Sequence, residues 1–450
     1  MRLSSSLIAL AFGCVSIFLS HAQAEESLSS QIRFKVEKFT LPNGLTVLLH
    51  EDHSAPIISY NTWFKVGSKN EEVGFTGLAH LFEHMMFTGT KKYSRDRFDL
   101  ILQSNGAVNN AFTTQDYTGY YENLPSSKLE LIVDMEADRL VNLQVTEENL
   151  KSEREVVKEE RRFRVDNNPM GLLREGIFAT VFRAHPYKWP VIGYMKDLNA
   201  VTVDKARQFF KTYYSPNNAV IVIAGDFKSS AAKSLIQKYY THIPAQEIPK
   251  RTLAAEPQQA SGRGQLIRQP VQNVTVALAY RVPAAGNADV YPLDLLSNIL
   301  GQGSSSRLHK RLVYNQQTAT SASASNYSLQ DHGIFQVFAS LKPGQAADPV
   351  QKALLAEVWR PRNQLVTPEE LAKAKKQVIQ SYVSQLKTVS GKAEAIAQNE
   401  ILFGDWEQLF KDLESYEKVT AEQIKQVANK YLTPERANTI TLLPSQQAGQ

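Results

Sequence analysis

Residues 77–87 read Gly-Leu-Ala-His-Leu-Phe-Glu-His-Met-Met-Phe, and few conformations suit them. Apolar residues fill the gaps and no helix breaker falls between His80 and Phe87, so the pattern predicts a helix. On a helix His80 and His84 are one turn apart with both imidazoles on one face. Glu83, three residues from His80, projects toward the same side. Two neutral imidazoles and a carboxylate on one face are what a catalytic zinc site requires: two ligands hold the ion, and a base stands beside the water it polarises. The order H-x-x-E-H is the reverse of the zincin order. Three specified positions recur by chance often enough that the motif needs a further ligand elsewhere.

A charged segment downstream, Glu153-Arg154-Glu155-Val156-Val157-Lys158-Glu159-Glu160-Arg161, reads as part of a helix over 147–162. Such helices are mostly solvated. Here Glu153, Val156, Val157 and Glu160 share one face, which places two carboxylates on the apolar, inward side. A buried unpaired charge is costly, so each needs a partner, and a zinc ion would serve. Glu155, Lys158 and Glu159 face elsewhere.

The chain of 450 residues is 43% hydrophobic and 21% charged, enough for two or more domains. Its formal net charge of +5, over 50 basic and 45 acidic residues, argues against nucleic acid as a partner. Arg2 and the apolar run Leu7–Leu19, about 13 residues and too short to span a bilayer, lead to Ala22-Gln23-Ala24. Residues 1–24 are therefore expected to be a signal peptide cleaved after Ala24. The single cysteine, Cys14, lies inside it; acylation there, as in a lipoprotein, is the lesser alternative. The mature chain then has no thiol for a disulfide, a nucleophile or a metal ligand. No other run is long enough for stable membrane insertion. A periplasmic or secreted location follows.

Asn43-Gly44 between apolar runs predicts a hairpin. Ile57–Val66 and Ala219–Phe227 read as strands, Asn109–Glu122 as strand-rich, and 95–104 and 127–140 as helices. Residues 244–265, with Pro244, Pro249, Pro257, Gly262 and Gly264, read as a linker. It separates a domain over 25–243 from one over 266–450. The halves echo each other: Val145-Thr146-Glu147-Glu148-Asn149-Leu150 resembles Val366-Thr367-Pro368-Glu369-Glu370-Leu371 at an offset of 366 − 145 = 221. The order of elements predicts α+β layers, two homologous domains each with a mostly antiparallel sheet backed by helices.

From about Phe39 to the C-terminus the chain resembles the pitrilysin/insulinase family of inverted zinc metallopeptidases, in the half-length form similar to mitochondrial processing peptidase. Gly77–Thr90 and the E-R-x-V-V-x-x-E helix carry the resemblance. It implies that His80 and His84 bind one zinc ion per chain, and that Glu83 is the general base for a water on that zinc. It also implies a third ligand 76 or 77 residues past the second histidine; 160 − 84 = 76 falls on Glu160. Glu153 then matches the helix acid that orients a ligand from behind. Gly106–Thr113 resembles the family's edge strand, which binds peptide substrates as an added β-strand, with Asn110 and Ala111 on its Asn-Ala pair.

The family's second domain carries an Arg and a Tyr seven apart that bind substrate. Here the aligned positions fall on Val313 and Thr320, and Arg307, seven before Tyr314, belongs to the structural Ser-Arg-Leu turn. Glu153 and Glu160 correspond to Ala374 and Ser381 in the second half. The resemblance therefore implies that this chain forms half of a clam-shaped chamber. A zinc-less homologous subunit would supply the Arg/Tyr pair in a heterodimer; a homodimer is the alternative. The expected activity is that of an exported zinc-dependent endopeptidase acting on peptides or unfolded segments. A non-catalytic scaffold subunit is the rival reading. His185-Pro186-Tyr187 and the run to Gly193 are expected to pack rather than react.

Overall fold

A computed structural model describes residues 32–250 and 252–445. The expected signal peptide, its cleavage site and Cys14 lie outside the described residues.

The first sheet contains β1 (Glu37–Thr40), β2 (Thr46–Glu51), β3 (Ile57–Phe64), β4 (Val108–Thr113), β5 (Thr118–Pro125) and β6 (Ala219–Gly225). Its spatial order is β1-β2-β6-β3-β5-β4. Only β2 and β6 pair in parallel. The expected hairpin forms between β1 and β2, with Gly44 at φ +86°, where a Cβ would also press on Asn217 at 2.7 Å.

The helices of this half are α1 (Leu78–Met85), α2 (Arg95–Ser104), α3 (Leu129–Asn142), α4 (Glu147–Arg161) and α5 (Pro169–Val181). α6 (Met195–Ala200), α7 (Val203–Tyr213) and α8 (Ser229–Tyr240) follow. The described residues between 244 and 262 lie outside helices and strands. β7 begins at Arg263, three residues inside the stretch expected to be linker, because its backbone pairs with the last strand of the chain.

The second sheet contains β7 (Arg263–Gln269), β8 (Thr275–Val282), β9 (Ala319–Tyr327), β10 (Gly333–Leu341) and β11 (Asn438–Pro444), ordered β7-β11-β8-β10-β9. Again one pair, β7 with β11, is parallel. Its helices are α9 (Val290–Gly301), α10 (Ala347–Asn363), α11 (Pro368–Gln385), α12 (Val389–Phe403), α13 (Gln408–Lys418) and α14 (Ala421–Tyr431). Setting β2, β6, β3, β5 and β4 against β7, β11, β8, β10 and β9 superimposes the two strand orders and the position of the parallel pair. Thr146 and Thr367, the 221-residue echo, both cap a helix by accepting an amide hydrogen bond. The two domains thus share one α+β plan.

What the sequence pattern does not reveal is an exchange of helices. All seven residues of β6 are buried, as expected of a strand covered on both faces. Ile221 and Ile223 face the helices of their own half. Val220, Val222 and Ala224 face Ala393, Ile396 and Ala397 of α12, a helix from the other half. Conversely α5 leaves the first half: Leu173, Ile177 and Phe178 pack on Ala277, Ala279, Ile440 and Leu442 of the second sheet. Each sheet has its outer face closed by a helix of the opposite half, which fixes the two domains together.

A polar knot reinforces the junction. Lys69 Nζ lies 2.9 Å from Asp116 and 3.0 Å from Asp331. The buried Tyr187 hydroxyl donates to Asp116 at 2.5 Å. His185 and Tyr187 pack in this knot.

Candidate metal centre

α1 is anchored by its apolar side. Leu78, Leu81, Phe82 and Met85 are buried, and Phe82 stacks on Phe210 with centroids 5.9 Å apart. At its start Gly77 has φ +91°, and a Cβ there would meet the Ile192 carbonyl at 2.5 Å. The Glu71 carboxylate accepts from the amides of Gly77 and Ala79, a favourable position for an anion at a helix N-terminus. With three sides committed, the fourth carries His80, Glu83 and His84 into a cleft.

α4 crosses behind that cleft. Its buried stripe is Leu150, Glu153, Val157 and Arg161. Val156, expected on that stripe, is 46% exposed and lines the cleft instead. The inward direction of the helix centres on Glu153 and Val157, which turns Val156 toward the open side. Glu160, at the last turn, is half-buried at the cleft wall.

The motif helix and α4 bring three donors together. One ligand atom each from His80, His84 and Glu160 lie within 4.8 Å of one another. Glu160 Oε2 is 3.5 Å from His80 Nε2 and 3.2 Å from His84 Nε2. Donors about 2.05 Å from a tetrahedral ion are separated by about 3.3 Å, so these edges match. Glu160 Oε2 is buried without a hydrogen-bond partner, as an oxygen reserved for a cation would be. Two imidazoles and a carboxylate are also the donor set zinc accepts. The residues present fit the ion.

The electrostatics pull the donors in different directions. Burial, followed by the neighbouring His84, pushes the His80 pKa down to about 4, so its imidazole is neutral. Burial works against charge on His84, but Glu160, Glu83 and Glu153 outweigh it and raise its pKa. Burial favours the neutral form of Glu160, yet His84, His80 and Arg164 hold its pKa below the usual carboxylate value. Glu83 is pushed up, chiefly by burial, against a hydrogen bond from Thr113.

The surrounding shell contains residues that the motifs did not single out. Thr113 Oγ1 donates to Glu83 Oε2 at 2.6 Å. It is two residues from Ala111, so strand alternation would have put both on one face. Arg164 Nε is 2.9 Å from Glu160 Oε1; the i,i+4 spacing was the available signal. Arg95 Nη1 donates to Glu153 Oε1 at 2.6 Å, a contact between distant segments with no local signal. Glu153 Oε2 in turn stands 3.8 Å from His84 Nδ1. Glu153 is thus placed between Arg95 and His84.

Asn110 and Ala111 lie on β4, the terminal strand of its sheet. They line, with His80, Glu83, His84 and Glu160, one cavity of about 590 Å³. The Ala111 amide donates to Asn110 Oδ1 at 2.9 Å. Arg307 and Tyr314 do not line it. Arg307 is tied to Glu370 by two bonds of 2.7 and 2.6 Å, and Tyr314 is 76% exposed. Val313 packs against the second core, and Thr320 donates to the Ser340 carbonyl. Among the described residues no helix is long and apolar enough to cross a membrane.

Two family models together cover most of the chain, and they meet near residue 200 rather than at the expected linker. Residues 46–194 match the family model described as Insulinase (Peptidase family M16), and residues 200–378 match that described as Peptidase M16 inactive domain. The chain is 33% identical over 420 residues to a protein of Helicobacter pylori named zinc protease PqqE, covering 91% of this chain and 93% of that one. It is 26% identical to a probable mitochondrial-processing peptidase subunit beta of Arabidopsis thaliana, covering 87% of this chain and 75% of that one. The crystal structure of a protease from Helicobacter pylori superimposes with a TM-score of 0.88 at 32% identity, over 92% of this chain and all of that one. With its inverted motif on a helix and its duplicated α+β plan, the chain belongs to the insulinase family, peptidase family M16.

Proposed function

We propose that this chain is an exported zinc-dependent endopeptidase acting on peptides or unfolded segments. The observation that carries the reading is the meeting of His80, His84 and Glu160 donors beside Glu83, in a cavity that the edge strand β4 also lines. A zinc ion held there by His80, His84 and Glu160 would supply Lewis-acid activation of a water and of the peptide carbonyl. His80 and His84 act as neutral ligands and Glu160 as the carboxylate ligand, one ion per chain. Glu153, held by Arg95, orients His84. Glu83 takes the proton of the attacking water and passes it to the leaving amine; its raised pKa suits both roles. Asn110 and Ala111 receive the substrate backbone as an added strand, a recognition mode indifferent to most side chains.

The second half does not bring an Arg/Tyr pair to the cavity, since Arg307 is occupied by Glu370. This supports a heterodimer with a zinc-less homologue that supplies the pair; the signal-peptide reading of residues 1–24 supports a periplasmic or secreted location. The test combines metal analysis with hydrolysis of a quenched peptide. Glu83→Gln should keep its zinc and lose turnover; turnover retained at the native rate would refute the assigned base. The mass of the particle purified from its own cells decides the partner, and a fully active homodimer would exclude the heterodimer.

A further inference from the structure

The cleft continues beyond the metal donors. A second cavity of about 720 Å³ adjoins the first, and His80, Thr113, Glu160 and Arg164 line both. Its far wall is built by Met170, Arg174 and Phe178 of the exchanged helix α5, with Ile192 and, from β10, Phe338. Phe178 and Phe338 belong to the cluster that seats α5 on the second sheet, so this wall is rigid. The helix exchange is what brings a strand of the second domain beside the metal site.

The lining mixes an apolar wall with polar groups, among them Asn168 and Gln336, and its charges are unequally engaged. Arg164 is paired with Glu160. Glu175, the neighbouring acid, is 3.1 Å from Arg161. Arg174 is exposed, and its guanidinium lies 5.8 Å from the centroid of the Tyr327 ring. Among the described residues it forms no ion pair with a carboxylate. The cavity therefore carries one cation, Arg174, that leans on Tyr327 and has no carboxylate partner among the described residues.

The cavity also lies along the path of a bound strand. Asn110, Ala111 and Phe112 line the first cavity alone, whereas Thr113 lines both. A peptide laid along β4 passes the metal donors and enters the second cavity. A sphere of that volume is about 11 Å across, room for about three extended residues at ~3.3 Å each.

Resting on the peptidase reading above, the geometry points to a substrate subsite in which Arg174 receives a carboxylate within about three residues of the scissile bond. That carboxylate is a free C-terminus or an Asp/Glu side chain; both offer the guanidinium the same forked acceptor. Two paired sets of peptides with one quenched core decide between the sources: free acid against C-terminal amide, and Glu against Gln scanned over three positions on each side of the cut. They are assayed with the zinc-loaded particle purified from its own cells together with any partner it carries, and with its Arg174→Gln and Arg174→Glu variants.

One of the two pairs should favour the carboxylate by about 10–100-fold in kcat/KM. The preference should vanish in R174Q and reverse in R174E, with zinc content unchanged. Anisotropy titration of the same peptides onto zinc-loaded E83Q, with and without R174E, gives a readout independent of turnover. Equal handling of charged and neutral peptides in both assays, or a preference that survives R174E, overturns the subsite. If no peptide is cut, the peptidase reading falls, while the titration still decides whether Arg174 binds carboxylate.

Discussion

His84 Nε2 lies 3.2 Å from Glu160 Oε2, although the residues are 160 − 84 = 76 positions apart. The same oxygen is 3.5 Å from His80 Nε2. Two helices with separately determined apolar faces meet so that only their polar residues converge. The meeting is metal-ready, because a buried oxygen with no hydrogen-bond donor is costly unless a cation takes it.

Neutralising that carboxylate should remove the metal. Glu160→Gln dialysed against metal-free buffer is expected to retain close to no zinc, where the native chain keeps about one ion. Glu153→Ala should weaken zinc affinity by about 10–100-fold without abolishing it, because Glu153 acts through His84. Competition with a chelating dye measures both. Equal losses in the two variants would contradict their different roles.

The edge strand is open to a substitution that spares the fold. Proline is tolerated on edge strands where the amide faces outward, and the Ala111 amide donates to the Asn110 side chain. Ala111→Pro should keep zinc and thermal stability close to native while kcat/KM for peptides falls at least about tenfold, through loss of a main-chain hydrogen bond to substrate. Unchanged kinetics would show that substrate does not pair with β4.

Helix exchange makes a stability prediction. Ile396 of α12 is fully buried against the first sheet. Ile396→Ala should cost about 2–5 kcal/mol, as a large-to-small change in a close-packed core does. Limited proteolysis should then release α12 sooner than in the native chain. Proteolysis at the native rate would mean that α12 is not held by that contact.

A pH-dependent term comes from Asp294, on α9. Burial pushes its pKa up to about 6, although the hydroxyl of Tyr416 and the amide of Asn326 donate to it. The folded value lies above the unfolded 3.8. Its contribution is therefore complete below about pH 4 and is lost as pH rises through about 6. A displacement of that size corresponds to about 3 kcal/mol. Relative to Asp294→Asn, the native chain should lose stability between pH 4 and 7 by up to that amount. Urea midpoints across this range check it, and a native chain that gains stability relative to the variant as pH rises would reverse the sign.

Much of this protein was legible in its residues. The motif helix, the hairpin at Asn43-Gly44, the α2 boundaries and the repeat at Thr146 and Thr367 all rest on local chemistry: helical period, turn residues and capping side chains. Three residues of the candidate metal centre share that origin, because helical spacing places His80, Glu83 and His84 on one side whatever surrounds them. Glu160 was reachable by face and, through the family resemblance, by count. Val156 was misplaced because a face inferred from spacing leaves its rotation uncertain by about one residue, roughly 100°.

Tertiary structure alone decided the rest. Nothing in α5 or α12 says that each covers the sheet of the opposite half, since an apolar helix face is satisfied by any apolar sheet. Arg95 meeting Glu153 and Phe338 flanking the metal cleft depend on where whole layers come to rest. Sequence determined which side chains could bind a cation; packing between the layers decided which of them meet, and what else lines the cleft they share.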